Sequence, residues 1–130
     1  MKDHPKVNYG KTGVLIINLG TPDSTSWFDI RKYLKEFLSD NRVIEVNPIV
    51  WQIILNLFIL TFRPSKTAKA YKEIWMKSEN MSPLRYYTQM QAKKITNEIS
   101  SNDVIVDYAM RYGNPSIKNK MNDLQKQGCE

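Results

Sequence analysis

A chain of 130 residues with 42% hydrophobic and 25% charged content is long enough for one domain with its own core, and short for a doubly wound enzyme built from two halves. Its 19 Lys and Arg against 13 Asp and Glu leave a net charge of +6, which favours anionic ligands, but the lysines are scattered without aromatic interleaving, so nucleic acid is not expected. The one cysteine, Cys129, excludes an intrachain disulfide and any multi-cysteine zinc pattern, as expected of an intracellular protein.

Met1 to Lys11 forms a polar leader, expected to be flexible, without the apolar stretch of a secretory signal. His4 stands beside Pro5 with no second ligand at metal-binding spacing, as in a frayed terminus. Val14 to Ile17 is a continuous apolar run, which predicts a strand buried on both faces. Asn18, Gly20, Thr21 and Pro22 are expected to end that strand and turn the chain, with caps at Ser24 to Ser26 for a helix beginning near Ser26 or Trp27. Strand, turn and helix open an α/β unit, and ligands of open parallel sheets bind outside the carboxyl ends of strands. Asn18 to Thr21 is therefore the first candidate for ligand contact, with an ordinary strand exit as the alternative. A single Gly followed by Thr-Pro is neither a dinucleotide fingerprint nor a phosphate-binding loop.

Trp27 to Leu38 places Ile30, Tyr33 or Leu34, Phe37 and Leu38 at helical spacing, and Ser39-Asp40-Asn41 breaks that helix before a short extended piece at Val43 to Val46. Between Glu45 and Arg63 there is no charge. Asn47 caps a helix opened by Pro48, and Pro64 is expected to end it near Phe62. A helix over Ile49 to Phe62 reaches only about 21 Å, short of the roughly 30 Å hydrocarbon core of a bilayer. It is expected to pack in the core or to present apolar surface to a ligand, a partner or a membrane interface. A new helix is expected from Thr67. Arg63, Lys66 and the Tyr71 hydroxyl then gather beside an apolar element, a combination that could hold carboxylates on a large flat hydrophobic ligand, with a basic helix start at the surface as the alternative.

Ser82-Pro83 starts a long helix predicted to pack through Leu84, Tyr87, Met90 or Gln91, Ile95 and Ile99. Val104 to Met110 is the second predicted strand, followed by a polar exit at Arg111 to Asn114 and a helix over Ser116 to Gln127 that Pro115 introduces. If the two strands are parallel neighbours, Asn18 to Thr21 and Arg111 to Asn114 share one end of the sheet.

The ordered blocks VLIINLGTPDS at Val14 to Ser24, YLKEFLSDNRVIE at Tyr33 to Glu45, RPSKTAKAYKEIW at Arg63 to Trp75, SPLRYYT at Ser82 to Thr88 and AMRYGNPSI at Ala109 to Ile117 resemble the amino-terminal part of the ferrochelatases. These enzymes insert ferrous iron into protoporphyrin IX to make protohaem. The resemblance covers residues 12 to 130 and implies part of the first domain of a three-layer doubly wound parallel sheet, the chelatase fold. It implies that Asn18, Leu19 and Thr21 line a porphyrin cleft, and that Trp51 belongs to an apolar lip at residues 47 to 62. That lip would shield the macrocycle and provide a peripheral membrane contact through Ile49 to Phe62. Arg63, Tyr71 and Ser82, with Lys66 nearby, would receive the propionates, and Arg111 and Tyr112 would stand at the inner cleft.

The family's glycine before Ser-Pro is replaced here by Met81. Its catalytic histidine and acidic partner belong to regions beyond Glu130, so no catalytic residue is expected in this chain. Iron and porphyrin enter as substrates, no cofactor is indicated, and the carboxyl-terminal portion of the same protein is the implied partner. The expectation is a cytoplasmic ferrochelatase, peripheral at the inner face of the membrane, whose first 130 residues alone are inactive. The alternative is a non-catalytic porphyrin- or membrane-surface-binding protein of the same fold.

Overall fold

β1 runs from Thr12 to Thr21 and β2 from Val104 to Gly113 in a computed structural model that describes residues 10 to 130. His4 and most of the leader lie outside the described residues. The two strands pair in parallel, with Thr12 opposite Val104 and Thr21 opposite Gly113. Both strands are longer than predicted. Asn18 to Thr21 and Arg111 to Gly113 continue the ladder instead of turning away from it, because a parallel partner satisfies their backbone groups whatever their side chains.

The helices between the strands are α1 (Trp27–Leu38), α2 (Pro48–Ile54), α3 (Leu60–Ile74) and α4 (Pro83–Ile99), and α5 (Ile117–Lys126) follows β2. α4 meets the sheet through Ala92, which clusters with Tyr108 and Met110 and with Ile16 and Val106. α5 meets the sheet through Lys120, whose ammonium lies 2.7 Å from Asp107, and through Leu124, close to Gly13. Strand side chains alternate, so the row containing Ile16 and Val106 and the row containing Gly13 and Asp107 lie on opposite faces. Among the described residues the sheet has two strands, which makes the architecture mixed α/β but does not amount to a doubly wound sheet. Nor is β1 buried on both faces as predicted: Ile17 and Leu19 are 52% and 51% exposed, because no third strand or further helix covers them here.

Local capping chemistry sets the helix starts. The Ser26 hydroxyl accepts from the Asp29 N–H, and the Asn47 side chain from Ile49 and Val50. Ser82 and Ser116 do the same for α4 and α5, so Ser116, not Pro115, initiates the last helix. Val43 to Val46 forms no strand. The amides of Val43 and Ile44 bond back to the Asp40 carbonyl in a turn. α4 is buried along Thr88 and Ala92 instead of the predicted larger residues, and Tyr87 is 61% exposed, since the close helix–sheet contact favours small side chains.

Pro64 does not end the apolar helix. α2 runs into a π-helical turn at Leu55–Ile59 and then into α3, giving one helix from Pro48 to Ile74 of 27 residues. A proline ring clashes with the carbonyl four residues earlier, here that of Leu60. Leu60 is where the ψ angle opens to −7°, directly after the wide π turn, so the distortion falls where the ring needs room. The short-span argument against a bilayer crossing therefore lapses: the helix extends about 40 Å, and by length and composition it can span a membrane. Only its inner side is buried. Leu55, Leu60 and Ala68 join Ile30, Leu34 and Leu38 of α1 in the main core.

Candidate functional site

The carboxyl ends of β1 and β2 meet α1, α3 and α4 at a cluster of hydroxyl groups. Thr21 Oγ1 lies 2.6 Å from Ser82 Oγ in a buried hydrogen bond, and the same Ser82 oxygen accepts from the Arg85 N–H at the start of α4. Ser82 is 1% exposed, so its hydroxyl ties strand to helix and does not face open space. Asn18 donates to Thr88 Oγ1 at 2.9 Å, holding β1 to α4 a turn further on. Tyr33 of α1 donates to the Gly20 carbonyl at 3.2 Å. Burial, partly opposed by the neighbouring Tyr33 and Thr21 hydroxyls, raises the phenol of Tyr71 on α3 above the usual tyrosine value. Tyr33 is raised as well, chiefly by burial and then by its neighbour Tyr71.

An open depression of about 890 Å³ lies along the long helix, lined wholly by its own residues, Phe58, Phe62, Arg63, Lys66, Tyr71 and Glu73 among them. Arg63, Lys66 and Tyr71 are thus brought together as their spacing suggested, with apolar walls contributed by Phe58, Ile59 and Phe62. Tyr71 lines the groove, and its ring meets Trp75 edge-on at 6.5 Å. Trp51 is elsewhere. Its indole N–H donates to the Leu38 carbonyl at 2.7 Å and its ring packs on the α1 core, so here it acts as a strut.

A second depression, of about 780 Å³, holds Arg111 and Tyr112 together with Lys32, Lys35 and Arg42. Its organiser is Asp40, which sequence reasoning treated only as a helix breaker. One carboxylate oxygen lies 2.7 Å from the Arg111 guanidinium and 2.8 Å from the Tyr112 hydroxyl, and the other accepts from the Arg42 N–H at 2.9 Å. The Arg42 N–H and the Tyr112 hydroxyl, followed by the nearby arginine charges, hold the Asp40 carboxyl below its usual range. The reciprocal bond raises the Tyr112 phenol. Nothing short-range marks this triad, because its partners lie 71 and 72 positions apart in the chain.

A depressed carboxylate contributes stability above its unfolded pKa and loses it as pH falls through the lower folded value. A raised phenol contributes below its unfolded pKa and loses it as pH rises through the higher folded value. Asp40→Asn is therefore expected to flatten the acid limb of the stability profile and to lower the Tyr112 titration midpoint. NMR titration of ring-labelled tyrosine checks this, and an unmoved Tyr112 midpoint would contradict the triad. Among the described residues no group of three His, Cys, Asp or Glu side chains is placed to hold a metal ion.

The chain is a parallel α/β unit with polar side chains converging at its strand ends and an apolar, cation-edged depression on its long helix. The ferrochelatase family model matches residues 11–130, and the chain belongs to the ferrochelatase family. It is 54% identical over 129 residues to the ferrochelatase of Allorhizobium ampelinum, covering 98% of this chain and 38% of that protein. It is also 54% identical over 121 residues to the ferrochelatase of Francisella tularensis subsp. holarctica, covering 93% of this chain and 36% of the relative. The chain thus spans little more than a third of the length of the curated relatives it matches.

Proposed function

We propose that this chain is the porphyrin-holding, amino-terminal part of a ferrochelatase, and that the whole protein inserts ferrous iron into protoporphyrin IX. The observation that carries this is the groove along α3: an apolar wall for a flat macrocycle, with Arg63 and Lys66 as cations and Tyr71 as a hydroxyl donor for its carboxylates. In the whole protein the two strands would belong to a wider, doubly wound sheet, and Ile17 would be covered by it. Asn18, Leu19 and Thr21 would border the porphyrin from β1. Ser82 would act from behind, fixing Thr21, while Arg111 and Tyr112 would face the inner part of the cleft.

Metal insertion requires two pyrrolic protons to leave while iron sheds its waters. A protein assists by holding the ring in a distorted form and by offering a base. The residues here orient the ring. Arg111 stays charged, and Tyr112 is a weaker base still with its phenol hydrogen-bonded to Asp40. The proton acceptor is therefore assigned to the remainder of the protein. A single long apolar helix is consistent with peripheral membrane association. Ile49, Ile53, Leu57 and Phe62, all exposed, would form that contact in a protein facing the cytoplasm.

Titrating the chain with protoporphyrin IX tests the groove. Arg63→Ala is expected to weaken binding about tenfold or more, as for a lost charged hydrogen bond, and Tyr71→Phe about 2- to 10-fold. Equal affinities for all three proteins would remove the carboxylate clamp. Haem formation above the spontaneous rate by the chain alone would overturn the assignment of the base.

A further inference from the structure

Thr88 lies in the first half of α4 and is 1% exposed. Its hydroxyl stands 2.7 Å from the Leu84 carbonyl, and a carbonyl only accepts, so the Thr88 proton is committed to its own helix. Toward β1 the Thr88 oxygen can therefore only accept, and the atom of Asn18 that meets it at 2.9 Å is the amide nitrogen. The other end of the same amide gives the same answer. The Leu19 N–H lies 2.8 Å from Asn18 Oδ1, and an N–H only donates. Strand pairing passes from Asn18 opposite Met110 to Gly20 opposite Tyr112 without Leu19, and the Asn18 side chain takes up the Leu19 N–H. A free asparagine amide turns about its last torsion; one held at both ends keeps a single orientation.

From this geometry we propose that Thr88 is a positioning residue for porphyrin recognition, acting through the amide of Asn18. The proposal rests on the reading that Asn18 borders the porphyrin at the end of β1. Thr88 is buried and never touches the ligand. Asn18 is half-buried, and among the described residues its amide keeps one N–H and one carbonyl lone pair beyond its two bonds. With the amide unable to flip, that donor and that acceptor stand on set sides, and a ligand meets them already ordered.

Thr88→Val keeps the branched shape and removes the hydroxyl, whereas Thr88→Ser keeps the hydroxyl and removes the methyl. Titration of the chain with protoporphyrin IX is expected to show an affinity loss of about 2- to 10-fold for Thr88→Val and less than about twofold for Thr88→Ser. No further loss is expected when Thr88→Val is added to Asn18→Ala. A second measurement needs no ligand: in NMR spectra of the side-chain amides, the pair assigned to Asn18 by its loss in Asn18→Ala should move in Thr88→Val and keep its place in Thr88→Ser. A packing role alone would make the methyl matter and the hydroxyl not. Equal losses for Thr88→Val and Thr88→Ser, an amide pair that Thr88→Val leaves unmoved, or additive losses in the double variant would overturn the proposal. If Asn18→Ala binds protoporphyrin IX as tightly as the parent, or the parent does not bind it, the placing of Asn18 at the porphyrin fails, and this proposal with it. If Asn18→Ala weakens binding and Thr88→Val does not, this proposal alone fails.

Discussion

Gly20→Ala is expected to destabilise the chain by about 3 kcal/mol or more, among the largest single-residue effects available to it. Two causes act at one atom. Gly20 has φ of +137°, a backbone conformation that side chains disfavour, and a Cβ built there would overlap the Tyr112 carbonyl oxygen on the paired strand. Backbone cannot yield as a flexible side chain does, so the strand ends must part. Gly113 mirrors it, with φ of +82° and a would-be Cβ 2.6 Å from the Thr21 carbonyl oxygen. The two glycines let β1 and β2 approach closely where the hydroxyl cluster forms. Thermal unfolding followed by circular dichroism should show a melting temperature lowered by about 10 °C or more, at roughly 3–6 °C per kcal/mol for a domain of this size. A variant that melts like the parent would mean that the strand ends do not meet this way.

Leu60→Ala is expected to cost about 2–5 kcal/mol. Leu60 is fully buried, just past the π turn, in the cluster formed with Ile30, Leu34, Leu38, Leu55 and Ala68. Truncation there leaves a void between α1 and the long helix at the point where Pro64 already interrupts the hydrogen-bond ladder, so the neighbours have little means of closing it. The matched control is Phe62→Ala, two residues away on the same helix and 73% exposed, which should change stability by no more than about 0.5 kcal/mol. Urea denaturation of the two variants separates a helix docked by its inner side from one docked by its outer side. Equal midpoints would reject the packing described.

The helix starts near Trp27, at Pro48 and at Pro83 were legible because a cap is a contact between residues two or three apart, and Ser26, Asn47 and Ser82 carry it in plain view, whereas Ser116 was hidden behind Pro115. The parallel pairing was legible as a condition, since strand, helices and strand leave few other arrangements. What escaped were features fixed by distant partners. Asn18 and Arg111 looked like chain breaks, but a neighbouring strand supplies their backbone bonds. Pro64 looked like a stop, but burial against α1 holds the helix together through it. At the site, Arg63, Lys66 and Tyr71 could be grouped because they share a short stretch of helix. Asp40 and Tyr33 could not, because one binds residues more than seventy positions away and the other donates to a strand carbonyl thirteen positions back.

The register between β1 and β2 joins residues about ninety positions apart, whereas α1 meets the long helix within about forty. At translation rates of about 5–20 residues per second, the first strand waits roughly 5–20 s before its partner has been synthesised. During that interval its apolar residues have only nascent helices to lean on, and the entropy of closing so long a loop must be met before any ladder bond forms. The carboxyl ends of the two strands can therefore pair only once Gly113 has been made, and α5, which packs on both strands, comes later still.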